Sequence, residues 1–457
     1  MLSLFIQAFL KLKPCSEVVA KGNNFTISTC ESCKASRSCM LSYPSLKCIL
    51  EHLEVNKRFL LVICCPALRP ADKHTPLHID YLACQFTGTI VNETKYQLGI
   101  HRHFPGDLRI PDFFKNINDA GGALYDLDRF GRDDWEPENV LTPGDITTSN
   151  TLPIWRNRTG AVWNDYVERS CRRLGELKSL QETPEIRKEK NKLQAAVYAF
   201  IFAQLDIPAP YETFLQCTVI EGNDKMRKEL MEGTAKMREA MKYLLGKFLG
   251  ERAFPIRVKH LDMSAEKCPL RLSLGVQFRI KNLITTAHFA HMLSLPIFDP
   301  KSFPLQAINI VGDHPFEIEE NHEHQVIQNA EMVALHVENT NLDGNWFDIV
   351  MKYRSNKHVL LTRCSFSVQQ FLMIVDMIIR DQREPGTSYS FGSCELNILE
   401  DVIVELSQRP SAKVLTEKRS INLSMSTTLE LRLYVDKSKI VNGNWILRIN
   451  VEKRPEA

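Results

Sequence analysis

The chain has 457 residues, of which 44% are hydrophobic and 25% are charged, and its formal net charge is +2. A chain of this length is expected to form about two to four domains, each large enough for a core of its own. The near-neutral charge and the lack of a dense basic block argue against binding to nucleic acid or to an anionic membrane surface. No apolar run in the sequence reaches the roughly 18–20 residues of a membrane-spanning helix.

The 13 cysteines are scattered along the chain. Several lie within apolar runs, which is typical of buried, reduced thiols rather than of a disulfide scaffold. We therefore expect a cytoplasmic or nuclear protein. The cysteines in such runs include Cys48, Cys64, Cys65, Cys217 and Cys364.

Residues 1–40 are polar and irregular after the first dozen, and we expect them to form a disordered leader. The apolar run at residues 2–10 fits a signal peptide poorly, because its lysines follow the run instead of preceding it. Cys30 and Cys33 have the spacing of a zinc-binding pair, but no second pair of this kind follows. No metal site is predicted here.

The first clear pattern begins at Pro44, which suits the first turn of a helix. A second short helix is predicted to follow, with Asn56 as its cap. Since two or three short helices bury little apolar area by themselves, this helical unit is expected to pack on neighbouring β-structure. The apolar residues at the spacing of one helix face are Leu46, Ile49, Leu50 and Leu53.

A small β-rich region is predicted after these helices. Residues 86–101 alternate around a turn at residues 92–94, as in a β-hairpin. Residues 118–146 contain glycines, prolines and several aspartates, whose spacing does not fit a calcium-binding EF-hand loop. We expect such aspartates to accept hydrogen bonds from their own backbone.

Residues 151–250 are expected to form a helical connector. Residues 224–249 predict a long helix with a methionine-rich face, which is either a core face or an adaptable binding groove, with the core favoured. An earlier helix is predicted from residue 188 to the proline-rich residues 207–210. Its apolar stripe consists of Leu193, Ala196, Val197, Phe200 and Ile201.

Short strand-like runs recur at intervals of roughly 20–28 residues in the last part of the chain, with helical segments between them. This pattern predicts an α/β domain over residues 251–457, with leucine-rich-repeat-like strand–helix repeats, a parallel sheet and helices on one face. A hairpin of residues 429–435 and 447–451 is predicted to close the sheet edge. The strands are predicted at residues 256–261, 277–284, 305–311, 332–337 and 359–362, and the helices at residues 287–295, 323–330, 346–353 and 368–380.

The predicted fold class is therefore α+β. Residues 1–40 are the leader, residues 41–150 hold the small helical unit with its β-hairpins, residues 151–250 form the helical middle, and residues 251–457 form the repeat-like domain.

Motifs for catalysis or cofactor binding are lacking in the sequence. There is no glycine-rich phosphate loop and no nucleophile turn. The histidine pairs His288/His291 and His322/His324 lack the spacing of metal ligands. No catalytic residue, cofactor or metal is predicted, and an enzyme whose site is assembled from distant residues is the remaining catalytic alternative.

An ordered series of short motifs extends from about residue 42 to near the C-terminus. The motifs are YPSLKCILEHLEVNKR, CPALRP, PLHIDYL, NETKYQLGIHRH, NDAGGALYDLD and LTPGDI, followed by PAPYETFLQCTV, PIRVKHLDMS, FPLQAINI and GTSYSFG. This series resembles the nematode F-box C-type protein family, whose shared region is a domain of unknown function.

This resemblance implies a non-enzymatic substrate-recognition adaptor of a Skp1–cullin-type ubiquitin ligase. The F-box-like helices would dock on a Skp1-like protein, and the C-terminal domain would capture an unknown target protein. The alternative is a protein-binding scaffold unrelated to ubiquitin ligases, in which the same helices only cap the first sheet. The docking face implied by the resemblance consists of Pro44, Leu46, Ile49, Leu50, Leu53, Leu60 and Pro66.

Overall fold

The structure of the protein is a computed structural model. The chain divides into two compact units. Unit 1 comprises Met1–Val258 and Glu266–Phe278, and unit 2 comprises Lys259–Ala265 and Arg279–Ala457. The structure describes residues 18–21, 24–27, 40–85, 87–106, 108–134, 141–146, 160–223, 225–231, 236–264, 269–286, 293, 295–312, 324–337, 346–364, 366–393, 395–414, 419–437 and 445–454.

Unit 1 begins with three short antiparallel strands, β1 (Val18–Lys21), β2 (Asn24–Ile27) and β3 (Met40–Ser42). Three helices follow, which we call the helical module: α1 (Tyr43–His52), α2 (Val55–Cys64) and α3 (Arg69–Lys73).

The start of α1 agrees with the prediction from Pro44. The Ser42 hydroxyl caps this helix by accepting a hydrogen bond from the Ser45 backbone N–H at 3.3 Å. The predicted cap of α2 was wrong, because the Glu54 carboxylate, and not Asn56, accepts the hydrogen bond of the Lys57 N–H at 3.0 Å.

The remaining strands of unit 1 form an antiparallel sheet next to a two-residue ribbon. The sheet has the order β10-β9-β6-β5-β4, and its β5–β6 turn confirms the hairpin predicted over residues 86–101. The strands of the sheet are β4 (His78–Gln85), β5 (Gly88–Val91), β6 (Thr94–His103), β9 (Glu212–Ile220) and β10 (Met226–Met231). The ribbon consists of β7 (Asp126–Leu127) and β8 (Asp133–Asp134).

Four further helices of unit 1 are α4 (Asp112–Asp119), α5 (Gly160–Leu177), α6 (Pro184–Gln204) and α7 (Met237–Leu249). Helix α6 confirms the helix predicted there, but its predicted apolar stripe was wrong. Ala195 and Ala199 are buried, whereas Ile201 of the stripe is 50% exposed. The reason is that the aromatic side chains of α4 pack against this alanine face and against Tyr198.

The helix predicted over residues 224–249 was wrong in its first part. Residues 226–231 form β10, which pairs with β9 from Met226 opposite Ile220 to Met231 opposite Leu215. Helix α7 begins only at Met237, and its face of Met241, Leu245 and Phe248 is core, as favoured by the sequence. Pairing with a neighbouring strand has therefore overridden the helical spacing of the methionines.

In the loop-rich segment of residues 118–146, one aspartate accepts hydrogen bonds from its own stretch of backbone, as predicted. The Asp128 carboxylate accepts the backbone N–H groups of Phe130 and Arg132, each at 2.9 Å. Gly122 has φ of +90°, and a Cβ atom there would collide with the backbone of Ile100. Glycine is therefore required where this loop crosses β6.

Unit 2 contains the predicted parallel sheet. Strand β11 (Ile256–Asp262) belongs to unit 2 from residue 259 onward, and β12 (Phe278–Thr286) belongs to it from residue 279 onward. Strands β12 to β16 are parallel and consecutive, which confirms the expected sheet. The other strands are β13 (Ala307–Gly312), β14 (Met332–Val337), β15 (His358–Leu361), β16 (Ser388–Ser393), β17 (Ala412–Val414), β18 (Ser420–Ser424), β19 (Leu429–Lys437) and β20 (Trp445–Lys453).

The predicted C-terminal hairpin is confirmed as β19 and β20. Strand β20 pairs antiparallel with β16 and so closes the parallel edge, and β18 and β17 extend the sheet beyond β19. One row of aligned residues crosses this sheet, and each is at most 2% exposed. The row consists of Leu283, Ile308, Val333, Val359, Tyr389, Ile449, Leu433 and Ile421.

The helices of unit 2 agree only in part with the predicted ones. The segment predicted at residues 323–330 is a single turn, and most of the helix predicted at residues 287–295 lies outside the described residues. The class of the fold is nevertheless the expected mixture of helices and strands. The helices are α8 (Gln325–Gln328), α9 (Trp346–Lys352), α10 (Val368–Asp381) and α11 (Leu396–Ser407).

Candidate functional site: the helical module and an adjoining cleft

The helical module of unit 1 has a small core of its own. Leu46 and Leu50 of α1 pack on Leu68 and Ala71, and all four are at most 4% exposed. Leu46 and Leu50 lie one helical turn apart, so they form the inner face of α1. These two leucines therefore stabilise the module itself.

The residues of the implied docking face lie in different surroundings. Ile49 is 44% exposed, and Pro44 and Pro66 are exposed as well. Leu53 is half-buried at the end of α1, and Leu60 of α2 lines a separate cleft. The structure thus divides these residues between the core of the module, its outer surface and the cleft.

A buried arginine holds the helical module together. Arg58 of α2 is 1% exposed, and its Nε lies 2.6 Å from a carboxylate oxygen of Asp72 in α3. Its guanidinium also donates to the backbone oxygens of Leu50, Asp72, Thr75 and Pro76 at 2.7–3.1 Å. One side chain therefore connects the end of α1, the end of α3 and the segment leading to β4.

The same carboxylate links the module to the end of α7. Arg252 lies 3.1 Å from the second oxygen of Asp72. The Lys73 ammonium donates to the backbone oxygens of Lys247 and Gly250 at 3.1 and 2.6 Å. Burial, and to a smaller extent the neighbouring Arg252 guanidinium, lowers the pKa of Lys73 to about 8. The sequence shows Arg58 only as the second of two basic residues before the apolar run at residues 59–65.

A second buried carboxylate explains the LTPGDI motif. Asp145 accepts hydrogen bonds from Lys242 of α7 and from Arg271, each at 2.8 Å, and from the Thr142 backbone N–H. Burial alone would raise the pKa of Asp145, but the hydrogen bonds from Lys242, Thr142 and Arg271 outweigh it and hold this pKa below its usual value. Ile146, the next residue, pairs with Leu270 through two backbone hydrogen bonds. The motif is thus structural.

An open cleft of about 1020 Å³ lies in unit 1 beside α2. Side chains from α2, the β5–β6 turn, the β9–β10 hairpin and α7 line it. Half-buried walls come from Leu60, Tyr81, Met231 and Tyr243. Buried residues form its floor, among them Phe59, Tyr96, Leu98, Cys217, Val219 and Phe248.

The floor of the cleft contains a set of packed aromatic rings. Phe59 stacks on Phe248 with ring centroids 4.4 Å apart, and Tyr96 meets Phe248 edge-on at 4.8 Å. The Tyr96 hydroxyl donates to the Asn56 side-chain oxygen at 3.0 Å.

Burial raises the pKa of Cys217 to about 12, so this thiol is not a nucleophile at neutral pH.

Carboxylates dominate the rim of the cleft, where Glu54, Asp80, Glu93 and Glu221 stand against two cations, Lys57 and Arg227. Glu54 is occupied as the cap of α2, and Glu221 is paired with Arg227 at 2.7 Å. Asp80 and Glu93 are exposed. Among the described residues, no cation pairs with either of them.

No local sequence signal pointed to this cleft, since its walls come from segments up to about 190 residues apart along the chain. Within the described ranges, no three His, Cys, Asp or Glu residues come together in a way that could hold a metal ion. The helices in the described part of the chain include none with the length and apolarity needed to cross a membrane.

Comparison with known families gives one match. A Domain of unknown function (DUF3557) matches residues 236–395, which run from the residue before α7 to the residue before α11. No curated protein and no solved structure matches the chain. Part of this chain, including the α7 wall of the cleft, is therefore similar to a domain whose function has not been assigned.

Proposed function

We propose that this chain is a non-enzymatic protein-interaction protein, and that it acts as a substrate-recognition adaptor of a Skp1–cullin-type ubiquitin ligase. The outer face of α1 would dock on the Skp1-like protein, and another surface would bind the target protein. The F-box-like motifs of the sequence are the origin of this proposal.

The observation that carries the proposal is the separation of the two faces of α1. Leu46 and Leu50 point into the core of the helical module, while Ile49 on the flank of that face and Cys48 on the opposite side are exposed. The helix can therefore stabilise its own module and still offer an apolar side chain to a partner. Exposed apolar side chains that become buried in a complex supply much of the binding energy of an interface.

The test is binding of purified full-length protein to a purified Skp1-like protein, measured by titration calorimetry. Ile49→Asp should weaken binding at least severalfold, because burial of the exposed 44% of this side chain contributes roughly 0.7–1.3 kcal/mol and a buried aspartate adds a desolvation cost, with about 1.4 kcal/mol for each factor of ten. The matched control is Val404→Asp on α11, where the side chain is 56% exposed. Leu50→Asp is unsuitable, since Leu50 is fully buried.

Equal affinity of Ile49→Asp and Val404→Asp would exclude α1 as the docking face. The ion-pair network of Arg58, Asp72 and Arg252 favours a second candidate, a scaffold unrelated to ubiquitin ligases in which the helical module is only a part of unit 1. Failure of the wild-type protein to bind any Skp1-like protein would leave this second candidate.

A further inference from the structure

We propose that the open cleft of unit 1 is a binding site for an extended peptide segment that carries an apolar side chain next to a lysine or arginine. This site is distinct from the outer face of α1, and its existence does not depend on docking to a Skp1-like protein.

The apolar part of the ligand follows from the walls of the cleft. Leu60, Tyr81, Met231 and Tyr243 are half-buried and face a space of about 1020 Å³ above the aromatic floor. Filling this space would remove their remaining apolar surface from water, which favours binding. Because the floor rings are already fixed by stacking, a ligand would meet a preformed surface and little ordering cost would arise in the protein.

The cationic part of the ligand follows from the rim. Asp80 and Glu93 belong to adjoining parts of the rim, since the Asn92 side chain accepts the backbone N–H groups of Asp80 and Tyr81 at 3.0 and 3.2 Å. The other two carboxylates have partners, so Asp80 and Glu93 leave the rim with a negative excess, and of the described lining residues only Lys57 opposes it. A cation beside the apolar anchor would complement this charge.

The openness of the cleft favours a peptide over a small molecule. Small-molecule sites generally bury about 70–90% of their ligand. Here the cleft communicates with solvent, and the exposed Asn223 and Gly222 at the β9–β10 turn are among its lining residues. A chain segment can insert one side chain into such a cleft while its ends remain in solvent.

Fluorescence anisotropy with labelled octapeptides tests the proposal on the full chain. In a glycine–serine background, a leucine, phenylalanine or tryptophan is placed beside arginine, lysine, glutamine or glutamate. Peptides with an arginine or lysine should bind most tightly, and binding should weaken as salt rises. Tyr243→Ala should weaken all apolar peptides, because it removes one wall of the cleft.

The double variant Asp80→Asn/Glu93→Gln should reduce the preference for arginine over glutamine by about two- to fivefold for each carboxylate. Both side chains are exposed, so the fold is expected to persist, and Asp112→Asn, another exposed carboxylate outside the cleft, is the matched control. Equal binding of the glutamate peptides, unchanged binding in the cleft variants, or no peptide binding would each overturn the proposal. Saturable binding of 2-phenylethylamine without binding of any peptide would overturn the peptide assignment.

Discussion

Replacement of Arg58 by alanine should destabilise the helical module more than any exposed substitution in unit 1. The side chain is 1% exposed and bonds to the Asp72 carboxylate and to four backbone oxygens. Loss of one partner of a buried ion pair costs about 3–5 kcal/mol when the remaining charge is left unpaired. Because Arg252 still lies 3.1 Å from the Asp72 carboxylate, the lower part of this range is expected for the ion pair, and the backbone oxygens that lose their donor add to it.

Hydrogen–deuterium exchange measured by mass spectrometry suits this prediction, since the protein has two units and its unfolding need not be two-state. Peptides from residues 43–73 should exchange on the order of a hundredfold faster or more in Arg58→Ala, while peptides from unit 2 should keep their rates. The matched control is Arg187→Ala, whose side chain is 61% exposed in its pair with Glu182. If Arg58→Ala exchanged like the control, the buried network would not be what holds the module together.

Three further outcomes are expected. Leu50→Ala should destabilise unit 1 by about 2–5 kcal/mol in exchange experiments, whereas Ile49→Ala should change it little. The pKa of Asp145 in the folded protein lies below the unfolded value of about 3.9. The stabilisation by its ionised carboxylate is therefore complete above about pH 3.9 and is lost as the pH falls through the folded pKa. Acid unfolding of Asp145→Asn should lack this pH-dependent loss of stability. Iodoacetamide at pH 8 should alkylate the exposed Cys48 and spare Cys217 until the protein is denatured, and equal labelling would contradict the assigned burial.

The β-structure of unit 2 could be predicted from the sequence because its strands are apolar runs separated by helices. A buried row such as Leu283, Ile308 and Val333 needs apolar residues at matching places in successive segments, and this leaves a visible repeat. The order of the parallel strands followed from the alternation of strand and helix. Strands β16, β17 and β18 and helix α11 were not predicted.

The errors arose where distant segments decide the local structure. Met226 and Leu230 have the i, i+4 spacing of a helix, yet a nine-residue strand, β9, is available to pair with residues 226–231. The stripe of α6 was misplaced because aromatic side chains of α4 select its alanine face. The cleft was not predictable for the same reason, since Tyr81, Met231 and Tyr243 become neighbours only after the sheet and α7 have assembled.

The division of the chain between the two units has a consequence for synthesis on the ribosome. The polypeptide passes from one unit to the other between residues 258 and 259, 265 and 266, and 278 and 279. Unit 1 therefore lacks its last segment, with Arg271 and the Leu270 partner of Ile146, until residue 278 has left the exit tunnel. Until then Asp145 would be missing Arg271, one of its two cationic partners. A nascent chain stopped before residue 266 should therefore remain sensitive to protease in unit 1, and this sensitivity should be lost once residues 266–278 are added.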